Sequence, residues 1–185
     1  MKKSKETIYV AILIDQSGSM NACKNDTIGG FNQFLKDQKE SKLGDLKLSL
    51  TFFNSVDIEK RYVEEDIHDI PDLTDETFIP LGTTPLWDAL GDAISAIPQK
   101  RKDVFFVVIT DGFENSSRER SAESVKQMIN KKKKQGWLFE YLGVNIKDFG
   151  DAFIVGIKSQ HRVSSATSYP TVSASVTSYR SMKTK

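Results

Sequence analysis

Residues 8–20 read IYVAILIDQSGSM: seven consecutive apolar or aromatic residues run into Asp15, and hydroxyls then follow at every second position, Ser17 and Ser19. An unbroken apolar run of that length is expected of a strand buried on both faces, as in the middle of a parallel sheet. Its abrupt end in an aspartate puts a carboxylate at a strand's carboxyl end. Open α/β sheets build their ligand sites there, where the strand order reverses.

A second stretch of this kind lies downstream. Residues 104–109 (VFFVVI) form another buried strand and end in Thr110-Asp111-Gly112. If the two strands are neighbours, Asp15 and Asp111 converge on one crevice. Between them, residues 80–94 (PLGTTPLWDALGDAI) open a helix with Thr84 as its N-cap and Pro85 as its first residue. Leu86, Leu90, Ala93, Ile94 and Ile97 share the face of that helix, and Thr84 projects toward the same crevice.

The remaining pattern alternates strand and helix. Asp26 to Gln38 reads as a helix with Ile28, Phe31, Phe34 and Leu35 on one side. Leu46, Leu48, Leu50 and Phe52 alternate with Lys47, Ser49 and Thr51 as a strand. Arg61 to Ile67 returns antiparallel, its charges marking a sheet edge. Ser121 caps a helix carrying Ala122, Val125, Met128 and Ile129, Gly136 ends it, and residues 138–144 (LFEYLGV) make a further strand. A short strand is expected at Arg162 to Ser165, then a helix from Pro170 to Met182 with Val172, Val176 and Tyr179 inward. The fold class is therefore α/β: a central, mostly parallel sheet with one antiparallel edge strand and helices on both faces. The 185 residues form one domain, with a core of about 6–157 and a Ser/Thr-rich tail at 158–185.

Asp15, Ser17, Ser19, Thr84 and Asp111 together make an all-oxygen set with two formal charges. Hard divalent cations take such ligands and often keep water. Two carboxylates and three hydroxyls leave the ion electrophilic, ready for a carboxylate from outside.

The three motifs Asp15-Gln-Ser17-Gly-Ser19, Gly82-Thr83-Thr84-Pro85-Leu86 and Thr110-Asp111-Gly112 resemble, in order and in element, the metal-ion-dependent adhesion site of von Willebrand factor A domains. The resemblance implies a Rossmann-like fold of that type. It also implies a divalent cation, Mg²⁺ foremost with Mn²⁺ or Ca²⁺ as alternatives. Asp15, Ser17 and Ser19 would hold it from the first loop, Thr84 directly or through water, and Asp111 through water. The expected function is a metal-dependent protein-binding module whose partner presents an Asp or Glu to the ion. The stretches TIGGFNQFLKDQ, TDGFENSSR and GWLFEYLGVN are also similar to a small stand-alone branch of these domains from bacteria and phages. The likeness leaves bacterial or phage origin open; a cytoplasmic place in a bacterial cell is expected from the absence of any signal-peptide or membrane-span pattern.

Competing readings are weaker. Alone, Asp15-x-Ser17-x-Ser19 is as well read as a strand-end turn. An EF-hand loop fails because Ser17, Ser19 and Met20 stand at its third, fifth and sixth places. A D-x-D-x-T phosphatase fails because Ser17 replaces the second aspartate. Serine catalysis needs a base, and neither His68 nor His161 carries a motif tying it to the serines, so no enzyme is expected. A metal-dependent hydrolase or phosphatase, or an assembly component of a phage particle or ATPase-chaperone complex, remains the alternative. Cys23 and both tryptophans read as packing residues, with Trp87 at the site's rim the other reading for that residue. Lys131 to Lys134 serve a helix end, and Asp88 and Asp92 face solvent. Residues 113–118 either set partner specificity or cap the next helix.

Composition sets the outer bounds. Lys plus Arg number 26 against 25 Asp plus Glu, a net charge of +1, which argues against a nucleic-acid binder. One cysteine forms no intrachain disulfide and fits a reducing compartment. Lys2, Lys3 and Lys5 precede the first apolar run, but it is short and lacks an A-x-A cleavage pattern, so no signal peptide or membrane span is expected. Oligomeric state is left open.

Overall fold

A computed structural model describes residues 7–143, 155–157 and 165–183. In chain order the strands are β1 (Thr7–Asp15), β2 (Asp45–Phe53), β3 (Ile58–Asp66), β4 (Val104–Thr110) and β5 (Leu138–Gly143). The α-helices are α1 (Lys24–Glu40), α2 (Leu86–Ala96), α3 (Ala122–Lys133) and α4 (Ser165–Lys183). The sheet runs β3-β2-β1-β4-β5, with β3 antiparallel at an edge and the other pairings parallel.

The chain leaves β1 for β2 on one side and later returns as β4 on the other. That reversal is the topological switch point. In register, Ile14 lies opposite Ile109, so Asp15 and Asp111 stand at adjacent strand ends. The adjacency required of the two buried strands therefore holds.

Alternation of side chains across the pleat divides the core in two. Val10, Ile12, Ile14, Leu48, Leu50 and Val107 pack with Phe31, Phe34, Val172 and Val176 of α1 and α4. Leu13, Phe106 and Val108 pack with Leu90, Ile94, Val125, Ile129 and Trp137 on the other face, under α2 and α3. The edge strand carries a bulge near Leu48/Leu50, where Glu64 takes a left-handed φ of 53°. The buried Ser49 hydroxyl accepts the Glu64 N–H at 3.0 Å, compensating the ladder bond lost there.

Three boundaries differ from expectation. α1 is preceded by a 3₁₀ segment, Gly18–Cys23, which buries Met20 and Cys23 under the first loop. α2 begins at Leu86 with Pro85 as N-cap, and Thr84 makes no capping bond. α4 starts at Ser165, ahead of Pro170, and the strand expected at 162–165 otherwise lies outside the described residues. Its inward residues are as expected, with Val172, Val176 and Tyr179 buried.

Candidate functional site

Three loops meet at the carboxyl end of the sheet. The first and second are stitched by backbone: Gly18 N–H donates to the Gly82 carbonyl at 3.0 Å, and Leu81 N–H to the Gln16 carbonyl at 2.9 Å. Gly82 has φ +72°, and a Cβ there would stand 2.5 Å from Ser55 Oγ, so a side chain is excluded twice. Ser55 Oγ in turn accepts Thr83 N–H at 2.9 Å.

The side chains follow from that stitching. Asp15 is fully buried; its Oδ1 accepts Ser17 N–H at 2.7 Å and its Oδ2 accepts the Thr110 hydroxyl at 2.5 Å. The Ser17 and Ser19 hydroxyls are 3.1 Å apart, and Ser19 donates to Asp111 Oδ1 at 2.7 Å. Thr84 is held by Asn115 from both sides of its backbone: Thr84 N–H donates to Asn115 Oδ1 at 2.9 Å, and Asn115 N–H to the Thr84 carbonyl at 3.1 Å. Gly112 keeps the centre open. A methyl group on it would lie 3.1 Å from Thr84 Oγ1, 3.7 Å from Ser19 Oγ and 3.8 Å from Asp15 Oδ2.

All five residues singled out in the sequence are thus brought to one place. Among the described residues no three of His, Cys, Asp and Glu gather into a cluster of the usual metal-binding kind. The set here is two carboxylates and hydroxyls, a hard-oxygen donor set. Burial pushes the Asp15 carboxyl up from 3.8 to about 6, against the lowering effect of the Thr110 and Ser17 bonds, and the Asp111 charge adds to the rise. Asp111 is likewise raised by burial, with Ser19 opposing. Two carboxyls held against their preference for the neutral form fit a cationic occupant.

The loop after β4 does something unexpected. Glu114 Oε2 accepts Trp87 N–H at 2.9 Å, and Ser117 Oγ accepts both Trp87 N–H at 3.0 Å and Asp88 N–H at 3.2 Å. The loop therefore caps α2, the preceding helix; α3 has its own capping box, Ser121 with Ser124. Asp88 is buried and does not face solvent: its carboxylate accepts the N–H groups of Arg118 at 2.8 Å, Glu119 at 3.1 Å and Arg120 at 2.7 Å. Trp87 is buried and does not rim the site.

Other candidates lie elsewhere. His68 follows β3 near Asp66, which pairs with Lys47 at the opposite end of the sheet. His161 lies outside the described residues. Cys23 is buried beneath the first loop, and burial pushes its thiol up to about 11. Lys132 is buried with its ammonium 4.6 Å from the Trp137 ring centre. No helix among the described residues is long and apolar enough to cross a membrane.

No family model matches the sequence, and no curated protein matches it. Solved structures do. Proximal thread matrix protein 1 from the mussel byssus is 17% identical, with TM-score 0.65 over 96% of this chain and 46% of its own. A von Willebrand factor type A protein from Catenulispora acidiphila is 12% identical, with TM-score 0.60 over 97% of this chain and 42% of its own. The manganese-loaded TRAP protein of Plasmodium vivax is 16% identical, with TM-score 0.54 over 95% of this chain and 74% of its own. The chain spans less than half the length of the first two of these neighbours. Its fold is the Rossmann-like von Willebrand factor A type.

Proposed function

We propose that this von Willebrand A-type chain is a divalent-cation-dependent protein-binding module. The observation that carries the reading is the meeting of three loops around Gly112, where oxygens of Asp15, Ser19 and Thr84 lie within 3.8 Å of a single point. Asp15, Ser17 and Ser19 would hold the ion from the first loop, with Thr84 and Asp111 completing the set. Mg²⁺ or Mn²⁺ suits hard oxygens of this kind, and the manganese-loaded neighbour makes the same choice reasonable here. When bound, the ion supplies a weakly neutralised, electrophilic position for an acidic side chain of a partner protein. The chain's own residues do the rest: Thr110 orients Asp15, Ser19 links the first loop to Asp111, and Asn115 fixes Thr84.

Binding is favoured over hydrolysis by what surrounds the cluster. A general base must come within hydrogen-bond reach of a reacting water. Among the described residues, His68 is at the far end of the sheet and Cys23 is buried. The aspartates themselves are engaged by Thr110, Ser17 and Ser19.

The test is capture of a protein from a bacterial lysate in Mg²⁺ or Mn²⁺, alongside calorimetric titration of the ion. Chelator and Asp15→Ala are both expected to abolish capture and ion binding. Capture that survives both would mean assembly without metal, and metal-dependent turnover of ester or phosphoester substrates would mean an enzyme.

A further inference from the structure

Among the described residues seven large apolar side chains are exposed, and four of them lie on the loops that build the oxygen cluster or on segments joined to them: Val56 (72%), Ile79 (52%), Leu81 (40%) and Phe113 (44%). Single exposed apolar residues are ordinary; their gathering on binding loops is not. Phe113 follows Gly112 directly. Leu81 is bonded to the first loop through Gln16, and Val56 adjoins Ser55, whose hydroxyl holds Thr83. An open groove of about 610 Å³ lies beside Thr83 and Pro85, which flank Thr84; Val56 lines it together with charged residues such as Lys60, Asp92 and Arg118.

We infer that the partner presents one aspartate or glutamate flanked by apolar residues in an exposed segment. The carboxylate meets the cation, the neighbouring side chains pack on Phe113, Leu81 and Val56, and the segment continues along the groove beside Val56 and Thr83. The inference rests on the metal reading above and adds the chemistry around the acid. Charge complementarity selects the acid, and the apolar ring supplies the desolvated contact that excludes water from it. A second copy of the same face is the wrong occupant, because a two-fold contact would set cation against cation.

The test uses the full chain and displayed peptides with a fixed central Asp or Glu in random flanks. They are selected in Mn²⁺ and released by chelator. Apolar residues are expected to be enriched beside the acid. The double variant Val56→Ser, Phe113→Ser is expected to bind the selected peptides ~10-fold or more weakly, with Mn²⁺ affinity unchanged by calorimetry. Both positions are exposed, so folding is not at stake. Flanks no more apolar than the starting library, or equal binding to the double variant, overturn the inference and leave the metal reading standing. Peptides retained in chelator, equal selection by Asp15→Ala, or no enrichment at all overturn the metal reading and this inference with it.

Discussion

At the scale of single residues, Asp15 holds the conflict that the proposed cation would resolve. Its carboxyl is raised from 3.8 to about 6, burial being the main cause. A raised acid favours the folded state when neutral, so its contribution is full below pH ~4 and lost as pH rises through ~6. In chelator, the wild type is expected to lose ~2 kcal/mol relative to Asp15→Asn between pH 4 and 7.5. Cation binding needs the ionised carboxyls, so Mg²⁺ or Mn²⁺ should raise the melting temperature far more at pH 7.5 than at pH 5. Melts across a grid of pH and metal check both; a metal effect of equal size at the two pH values, or one kept by Asp15→Asn, contradicts the assignment. Asn115 offers a second case. It touches Thr84 only through backbone, yet Asn115→Ala should weaken the ion ~10–100-fold, as loss of an outer-shell support does. Calorimetry reads this directly, and unchanged affinity would remove Asn115 from the site. The gathering of the five oxygen-bearing residues was legible because Asp15, Ser17, Ser19 and Asp111 end or follow strands and Thr84 lies just ahead of α2, places that a parallel sheet gathers together. Asn115 and Thr110 were not, because bonds to backbone or to a neighbouring carboxylate leave no periodic trace.

At the scale of elements, the helix α2 and the loop after β4 hold each other. Glu114 and Ser117 take the orphan N–H groups of the first turn of α2, while Asp88 on that turn takes three N–H groups of the loop. Each element ends in donors that need an acceptor, and the other supplies it. Sequence spacing sets Asp88 beside Asp92 at i, i+4 and points both to solvent; the acceptor role depends on a loop some thirty residues away (|i−j| 30 to 32). Local pattern carries no such information. Asp88→Ala strands three part-buried donors and should cost ~1–2 kcal/mol in denaturant unfolding. It should also loosen Asn115 and so reduce ion affinity. Loss of stability with ion binding intact would show that the loop holds its shape without α2.

At the scale of the molecule, the sheet separates the end that carries the oxygen cluster from the end where α4 is anchored. The apolar runs of β1 and β4 made the doubly covered parallel sheet legible, and the charges of β3 made its edge position legible. The anchoring of α4 was not legible, since a Ser/Thr-rich helix has little apolar pattern beyond Val172, Val176 and Tyr179. Its anchor is Arg180, almost fully buried, whose guanidinium donates to the Leu43 carbonyl at 3.0 Å, the Gln38 carbonyl at 3.0 Å, Gln38 Oε1 at 2.9 Å and the Gly44 carbonyl at 2.8 Å. These acceptors precede β2, so they lie at the end of the sheet opposite Asp15. Arg180→Ala leaves several carbonyls without donors and frees the helix that covers Phe105 and Phe34, a loss of ~3 kcal/mol or more. For a chain of this size that lowers the melting temperature by ~6–12 °C. Because the two ends share no partners, the losses should be independent: Arg180→Ala should leave ion affinity at wild-type level at 15 °C, whereas Asn115→Ala should weaken the ion with little change in the melting temperature of the chelated protein. Melting curves and calorimetry on the two variants and their combination test this separation. Non-additive losses in the double variant would mean that the sheet transmits strain between its ends, and that α4, though far from the loops, helps to set the geometry of the site.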